Sequence, residues 1–390
     1  MTREFIDFVN FHKDEDTARL LLSAARYPHI DMPAAVQQIE GLRTARDKWP
    51  SLLQCEEYLY PPRLNREQAS SEVTAKWKAG KAKEWLSGRV ADLTGGMGVD
   101  TLAFARVAKE VDYVEQDADL CALMEHNLKA LGVTNVMVHC EDSLQWLQRQ
   151  SRFDLIFVDP ARRDKQGRKV AAFEDCTPDI VAHQELLLSK GTRIMVKASP
   201  MIDISLGATQ LRNVSDIYVI AVQGECKEVL FLCGQPDGEP RIHCHHLHHD
   251  EVDDFVFTRE EENQVQATFA SGIKKYIYEP NAALMKGGPF KLLSQREGLD
   301  KLARNTHLYT SDNFEQHFPG RIFSVLAELK PTRKEVQQWI PEGKAHVVTR
   351  NYPVAAADLQ RQLGLKEGGD LFVIATTLGT RRLGLICKQL

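Results

Sequence analysis

The sequence predicts an α/β protein with a doubly wound, mostly parallel sheet, helices ahead of it and a smaller α/β unit behind it. Three observations carry that prediction. Strand-like and helix-like segments alternate from about residue 88 to residue 235. Arg89-Val-Ala-Asp-Leu-Thr-Gly-Gly-Met-Gly-Val-Asp100 runs from an apolar strand through Gly95, Gly96 and Gly98 into an amphipathic helix. Asp92, Glu115, Asp142 and Asp159 all fall at or just past expected strand ends, the rim where open α/β sheets take their ligands.

The elements follow in order. Residues 1 to about 60 show helical spacing, with Leu20, Leu21, Leu22, Ala25, Met32, Ala35, Ile39 and Leu42 as the apolar set. Pro61-Pro62 breaks that run, and residues 64–87 read as helical again. Strands are expected at 89–93, 111–115, 135–139, 154–159, 192–197, 216–222 and 228–233, the last two as an edge hairpin. Gly234-Gln-Pro-Asp-Gly-Glu-Pro240 is a strong turn signal and marks a boundary. Beyond it lie strand-like Asp254-Phe-Val-Phe-Thr and Lys274-Lys-Tyr-Ile-Tyr-Glu-Pro280. Residues 321–390 then read as strand, helix, strand, helix, strand, with a final strand at 383–387. The division expected is 1–63 helical, 64–236 the main sheet, 237–320 connecting and 321–390 terminal.

At 390 residues the chain is long enough for two or three domains. With 43% hydrophobic and 26% charged residues it has an ordinary globular composition. No run of 18 apolar residues suggests a membrane span, and Met1-Thr-Arg-Glu-Phe-Ile-Asp lacks the apolar core of a signal peptide. Eight scattered cysteines without a Cys-x-x-Cys pair read as reduced thiols of a cytoplasmic protein. The net charge of −5 argues against a nucleic-acid surface along the whole chain. Residues 321–390, with 11 Lys and Arg against 6 Asp and Glu, are the plausible place for a polyanion.

Glycines in a strand-to-helix turn let the backbone approach a nucleotide. Glu115, closing Val111-Asp-Tyr-Val-Glu-Gln-Asp117, is suited to ribose hydroxyls, and Asp142 to an adenine amino group. Phe153-Asp-Leu-Ile-Phe-Val-Asp-Pro160 delivers Asp159 to the same rim, where a carboxylate could accept a proton or hydrogen bond from a nucleophile. The basic loop Arg162-Arg-Asp-Lys-Gln-Gly-Arg-Lys169 follows and suits phosphate, and Lys197-Ala-Ser-Pro200 ends the next strand. A dinucleotide dehydrogenase fits less well, because the spacing here is Gly95-Gly-x-Gly98 rather than Gly-x-Gly-x-x-Gly.

Asp92-Leu-Thr-Gly-Gly-Met-Gly98 with Glu115, Asp142 and Asp159-Pro160 resembles the class I S-adenosylmethionine-dependent methyltransferases, over roughly residues 64–235. Thr94 stands where that family usually has its first glycine. Leu64-Asn-Arg-Glu-Gln-Ala-Ser-Ser-Glu-Val-Thr-Ala75 is similar to the cofactor-covering lead-in helix of RNA guanine-N2 methyltransferases of the trimethylguanosine-synthase type. Their Asp-Pro-Pro-Trp is here Asp159-Pro-Ala-Arg-Arg163, which exchanges a base-stacking aromatic for Arg162. Tyr278-Glu-Pro-Asn-Ala-Ala-Leu-Met-Lys286 and Asn351-Tyr-Pro353 to Gly368-Gly-Asp370 look like the tail of a bacterial methyltransferase group with a ferredoxin-like segment and a THUMP-like domain.

The resemblance implies a Rossmann-like methyltransferase sheet, a helical N-terminal region and a C-terminal α/β unit, ferredoxin-like over 237–320 and THUMP-like over 321–390. It implies S-adenosylmethionine as cofactor, held by Asp92, Thr94, Gly95, Gly96, Gly98, Glu115, Asp142 and Asp159. Asp159 and Arg162 would serve catalysis, and Arg162, Arg163, Lys197, Lys286 and Arg350 would meet an RNA substrate, a base nitrogen favoured, with no DNA and no membrane involved. Lys330, Arg333, Lys334, Arg381 and Arg382 are further RNA-contact candidates. Cysteine catalysis, as in uracil C5 methylation, needs an activated rim thiol, and Cys226 and Cys233 read as core thiols. The alternatives are a protein or small-molecule methyltransferase and a non-catalytic RNA-binding protein. In Arg241-Ile-His-Cys-His-His-Leu-His-His-Asp250 an extended strand puts His243, His245 and His249 on one face and Cys244, His246 and His248 on the other. No spaced partner cluster completes a tetrahedral site, so no metal is assigned and a surface or interface strand is expected.

Overall fold

The structure is a computed structural model that describes residues 2–161, 173, 176–234, 238–248 and 251–390. It resolves into two compact units, Met1–Ser215 with Leu230–Asp237, and Asp216–Val229 with Gly238–Leu390. The sequence expectation placed one boundary at 236/237. The division falls instead within two strands, because residues 216–229 make their contacts with the C-terminal unit.

The first unit opens with helices Arg3–His12, Thr17–Leu22 and Met32–Lys48, each started by a side-chain cap from Thr2, Asp16 and Asp31. Val9, Leu20, Met32, Ala35, Val36 and Ile39 form their core. Leu21 and Leu22, expected in that core, are exposed instead. Three consecutive leucines span too wide an arc of a six-residue helix to face one side. Helix Glu72–Lys83 follows, capped by Ser71.

The parallel sheet comprises β1 (Arg89–Asp92), β2 (Glu110–Glu115), β3 (Val136–Cys140), β4 (Phe153–Val158) and β5 (Gly191–Ala198) in the order β3-β2-β1-β4-β5. In register, Asp92 lies beside Tyr113 and Phe157, and Glu115 beside Cys140. Strand order therefore brings the carboxyl ends of β1, β2 and β4 together. Val90, Ala91, Leu155, Ile156, Phe157 and Val158 are buried, as parallel strands covered on both faces require.

β6 (Val214–Val222) and β7 (Glu225–Cys233) join through Gln223 and Gly224, both at positive φ, the backbone of a tight hairpin turn. They were expected at the edge. In the second unit β6 instead pairs in parallel with β8 (Arg241–His248), which pairs antiparallel with β9 (Glu251–Phe257). The histidine-rich segment is thus an interior strand with Ile242, Cys244, His245, His246 and Leu247 buried, not a surface strand.

A seven-stranded sheet completes this unit. It comprises β10 (Tyr276–Pro280), β11 (Asp300–Ala303), β12 (Thr306–Ser311), β13 (Gly320–Leu329), β14 (His346–Thr349), β15 (Leu371–Leu378) and β16 (Arg381–Gln389), ordered β11-β12-β10-β13-β16-β15-β14. The segments expected as connecting and terminal domains therefore share one continuous sheet through the β10–β13 pairing. Ile277, Leu302, Leu308, Phe323, Ile374 and Leu385 form one core. Val373, Ala375 and Ile386 meet Val336, Leu359 and Leu363 in another.

Candidate active site at the strand ends of the first unit

The loop after β1 is built from below. A Cβ on Gly95 would come within 2.2 Å of the Tyr113 ring, and one on Gly98 within 2.6 Å of the Met124 Sδ. These two glycines leave room for the β2 aromatic and the helix behind it. Gly96, at φ +52°, has only the Thr94 carbonyl within 4 Å of a Cβ position, at 3.8 Å, so its outer side is open. The Tyr113 hydroxyl donates to the Gly96 carbonyl at 2.8 Å and ties the turn to β2.

Asp92 shapes this loop from within. One carboxylate oxygen accepts the Thr94 N–H at 3.1 Å and the other the Thr101 hydroxyl at 2.6 Å, and the residue is 1% exposed. Burial pushes its pKa up to about 7; the Thr101 hydrogen bond opposes that shift and the Asp100 charge adds to it. Thr94 fits its position because it has no positive φ to accommodate, and its hydroxyl accepts the Asp159 N–H at 2.7 Å, joining the β1 loop to the end of β4.

Glu115 faces Gly96. Its Oε2 accepts the Gly96 N–H at 3.0 Å, while Oε1 accepts the N–H groups of Gln116 and Asp117 at 2.8 and 3.0 Å. Two donors fill Oε1, and Oε2 keeps acceptor capacity for a hydroxyl. Asp142 is exposed and caps helix Ser143–Gln148 through the Gln145 N–H at 2.9 Å, leaving its second oxygen for a ligand donor.

Asp159 and Lys197, at the ends of neighbouring strands β4 and β5, form an ion pair through Asp159 Oδ2. The lysine side chain is 9% exposed and the aspartate 28%. The sequence placed both near the rim without pairing them. Arg162 and Arg163 lie outside the described residues. The lead-in segment is fastened by a buried network that sequence reading missed. Ser70 Oγ donates to Asp100 Oδ2 at 2.7 Å, and Lys78 Nζ lies 3.0 Å from both Ser70 Oγ and Asp100 Oδ1. A lysine on the buried face of helix Glu72–Lys83 was the available signal. A cavity of about 420 Å³ lined by Trp49, Leu52, Ala75, Val99, Leu102 and Val133 includes none of the rim acids.

The remaining candidates belong to the second unit. Lys286, in helix Ala282–Gly287, lies close enough to Cys226 to lower its thiol pKa, although burial wins and takes the thiol to about 11. Arg350 pairs with Glu279 at 2.5 Å, and Arg321 Nε donates to the same carboxylate at 2.8 Å. Glu279 is buried while both arginines stay about 40% exposed. Arg381 pairs with Glu328.

Three family models match successive parts of the chain. They are described as conserved hypothetical protein 95 over residues 80–213, a ferredoxin-like domain over 276–319 and a THUMP domain-like family over 320–389. A crystal structure of a putative methyltransferase from Porphyromonas gingivalis W83 is similar over 99% of this chain and 97% of its own, with 29% identity and a TM-score of 0.86. The 23S rRNA (uracil(1939)-C(5))-methyltransferase RlmD of Aeromonas salmonicida is 30% identical over 136 residues, 30% of each chain. That of Xanthomonas euvesicatoria is 39% identical over 80 residues, 19% of this chain and 18% of the relative. The chain thus spans about a third or less of the curated relatives it matches. The full-length likeness to the Porphyromonas gingivalis structure shows a shared fold, with a Rossmann-like parallel sheet in the first unit. Later in the chain, residues 276–319 and 320–389 match the ferredoxin-like and THUMP-like models.

Proposed function

We propose that this chain transfers a methyl group from S-adenosylmethionine to RNA, with a base nitrogen as acceptor. The observation that carries the reading is the convergence of the open Gly96 turn, Glu115 Oε2 and the Asp159–Lys197 pair on adjacent strand ends. The space outside Gly96 and the spare acceptor on Glu115 fit a ribose-bearing cofactor, with Asp142 available to an adenine amino group and Gly95, Gly98 and Thr94 shaping the cradle. When bound, S-adenosylmethionine supplies an electrophilic methyl group on a positively charged sulfur.

The protein's share is positioning. Lys197 holds Asp159 Oδ2, and Thr94 fixes the Asp159 backbone. The other carboxylate oxygen is then oriented to accept a hydrogen bond, and finally the proton, of an amine nucleophile. Cysteine-dependent attack on a pyrimidine ring is disfavoured at Cys121, Cys226, Cys233 and Cys387, because burial raises these four thiols to about 11 or 12, opposite to activation. The THUMP-like match, the excess of basic over acidic residues in 321–390 and the rRNA-methylating relatives support RNA as substrate. Arg162, Arg163, Lys286 and Arg350 are its proposed contacts.

The test uses purified protein, radiolabelled S-adenosylmethionine and extract from a strain lacking the gene. Label removed by ribonuclease supports the reading. Label removed only by protease transfers the substrate to protein, and failure to bind the cofactor overturns the enzyme reading. Glu115→Ala is expected to weaken cofactor binding at least tenfold. Asp159→Ala is expected to spare binding and lower turnover at least ~100-fold. Normal turnover in the latter would remove Asp159 from its role.

A further inference from the structure

β8 carries histidines on both faces, and β9 supplies each face with an aspartate. On one face His243, His245 and Asp254 present donor atoms within 4.8 Å of one another; on the other, His246, His248 and Asp253 do the same. The partner ligand invisible in the histidine run comes from the antiparallel register, which sets His245 opposite Asp254. Hydrogen bonding then separates the two faces.

On the second face, the Gly224 N–H donates to His246 Nε2 at 3.2 Å. A neutral ring that accepts at Nε2 carries its proton on Nδ1, the atom 3.8 Å from Asp253 Oδ2. That nitrogen offers Asp253 a proton rather than a lone pair. His248 Nε2 at 3.3 Å and Asn281 Nδ2 at 3.3 Å use the same aspartate oxygen. That oxygen is already engaged by protein donors.

The first face has the opposite polarity. His243 Nε2 lies 2.8 Å from Asp216 Oδ1 on neighbouring β6. With the proton on Nε2 for that carboxylate, Nδ1 is left as a lone pair. An outer carboxylate orienting a histidine in this way is the usual support of a metal-bound imidazole. Tyr218 stacks on His243 at 4.6 Å and on His245 at 5.9 Å, and the two imidazoles are parallel to within 5°. The stack restricts both rings to a narrow range of orientations. His245 Nδ1 is 3.7 Å from Asp254 Oδ1, and Asp254 is exposed, so an ion has access from solvent.

We propose that His243, His245 and Asp254 bind a divalent transition-metal ion of the zinc type, with Asp216 as the orienting carboxylate. Two imidazoles and a carboxylate are borderline ligands suited to zinc, with a fourth position open to water. Bonds of about 2.1 Å require donors ~3.4 Å apart, so side-chain rotation of about 1 Å closes the site. The ion would tie β6, β8 and β9 together. This inference does not depend on the methyl-transfer reading.

The test is calorimetric titration of zinc chloride into tag-free, chelator-stripped full-length protein, with cobalt absorption spectra reporting the ligand field. One equivalent is expected to bind, with an intense visible cobalt band. Asp254→Ala, an exposed change that leaves the strand core untouched, is expected to weaken binding at least tenfold, and His245→Ala to abolish it. His248→Ala is expected to keep affinity within twofold. Absence of a saturable zinc equivalent overturns the proposal. So does unchanged affinity in a folded Asp254→Ala protein, or loss of binding in His248→Ala with retention in Asp254→Ala.

Discussion

The glycine loop of the first unit and the histidine strand of the second are both dense local runs, yet they became functional candidates by different routes. The loop is a short-range construction. Asp92, Thr94, Gly96 and Thr101 meet within ten residues, and β2 adds Tyr113 and Glu115 from the neighbouring strand. The histidine strand acquires its distinction from strands on either side, Asp216 on β6 and Asp254 on β9. Without those partners each face of β8 offers a pair of histidines and no carboxylate. A contiguous motif reports a turn and the ligand it suits, whereas an alternating run reports only which side chains share a face.

Four substitutions probe this contrast. The largest effect is expected at Gly95→Ala, whose Cβ overlaps the Tyr113 ring, with a loss of about 3 kcal/mol in urea unfolding. Gly96→Ala, which meets open space and carries only the positive-φ penalty, should cost about 1 kcal/mol. Equal losses would show that backbone conformation, not packing on β2, governs the loop.

Asp92→Asn comes next. Its folded pKa of about 7 lies above the ordinary 3.8, so between those values the folded state holds a proton that the unfolded state has released. The contribution is fully present below pH 3.8 and lost as the pH rises through 7. The asparagine variant lacks this titration. Its stability relative to the parent protein is expected to rise by about 3 kcal/mol between pH 4 and pH 8, from paired urea melts. A constant difference would mean that the Thr94 and Thr101 bonds outweigh burial.

The smallest effect concerns the second region. Asp216→Asn is expected to weaken zinc binding roughly tenfold while leaving the melting temperature of chelator-treated protein within 3 °C. An equal fall in apo stability would assign Asp216 to strand packing alone.

Much of the fold was legible because hydrophobic period and turn chemistry are local. Strands β1 to β5 and the helix after Gly98 lie within a residue or two of their expected positions, and the alternation in 321–390 recurs in the expected order. Leu21 and Leu22 were misjudged because helical periodicity says little over six residues. The β6–β7 hairpin was misplaced at an edge because strand order depends on partners far along the chain. The buried Lys78–Asp100–Ser70 network was invisible because no local rule joins residues 22 and 30 positions apart.

By itself, the sequence determined where strands and helices form, that a glycine turn opens a helix, and that acids stand at several strand ends. Those properties follow from backbone conformation and side-chain period, which act over a few residues. Tertiary structure decided which acid is consumed in shaping the loop, which faces the open turn and which pairs with a lysine. It also decided which histidine nitrogen holds a proton. Such outcomes depend on burial and on hydrogen-bond partners brought close only when distant strands pair.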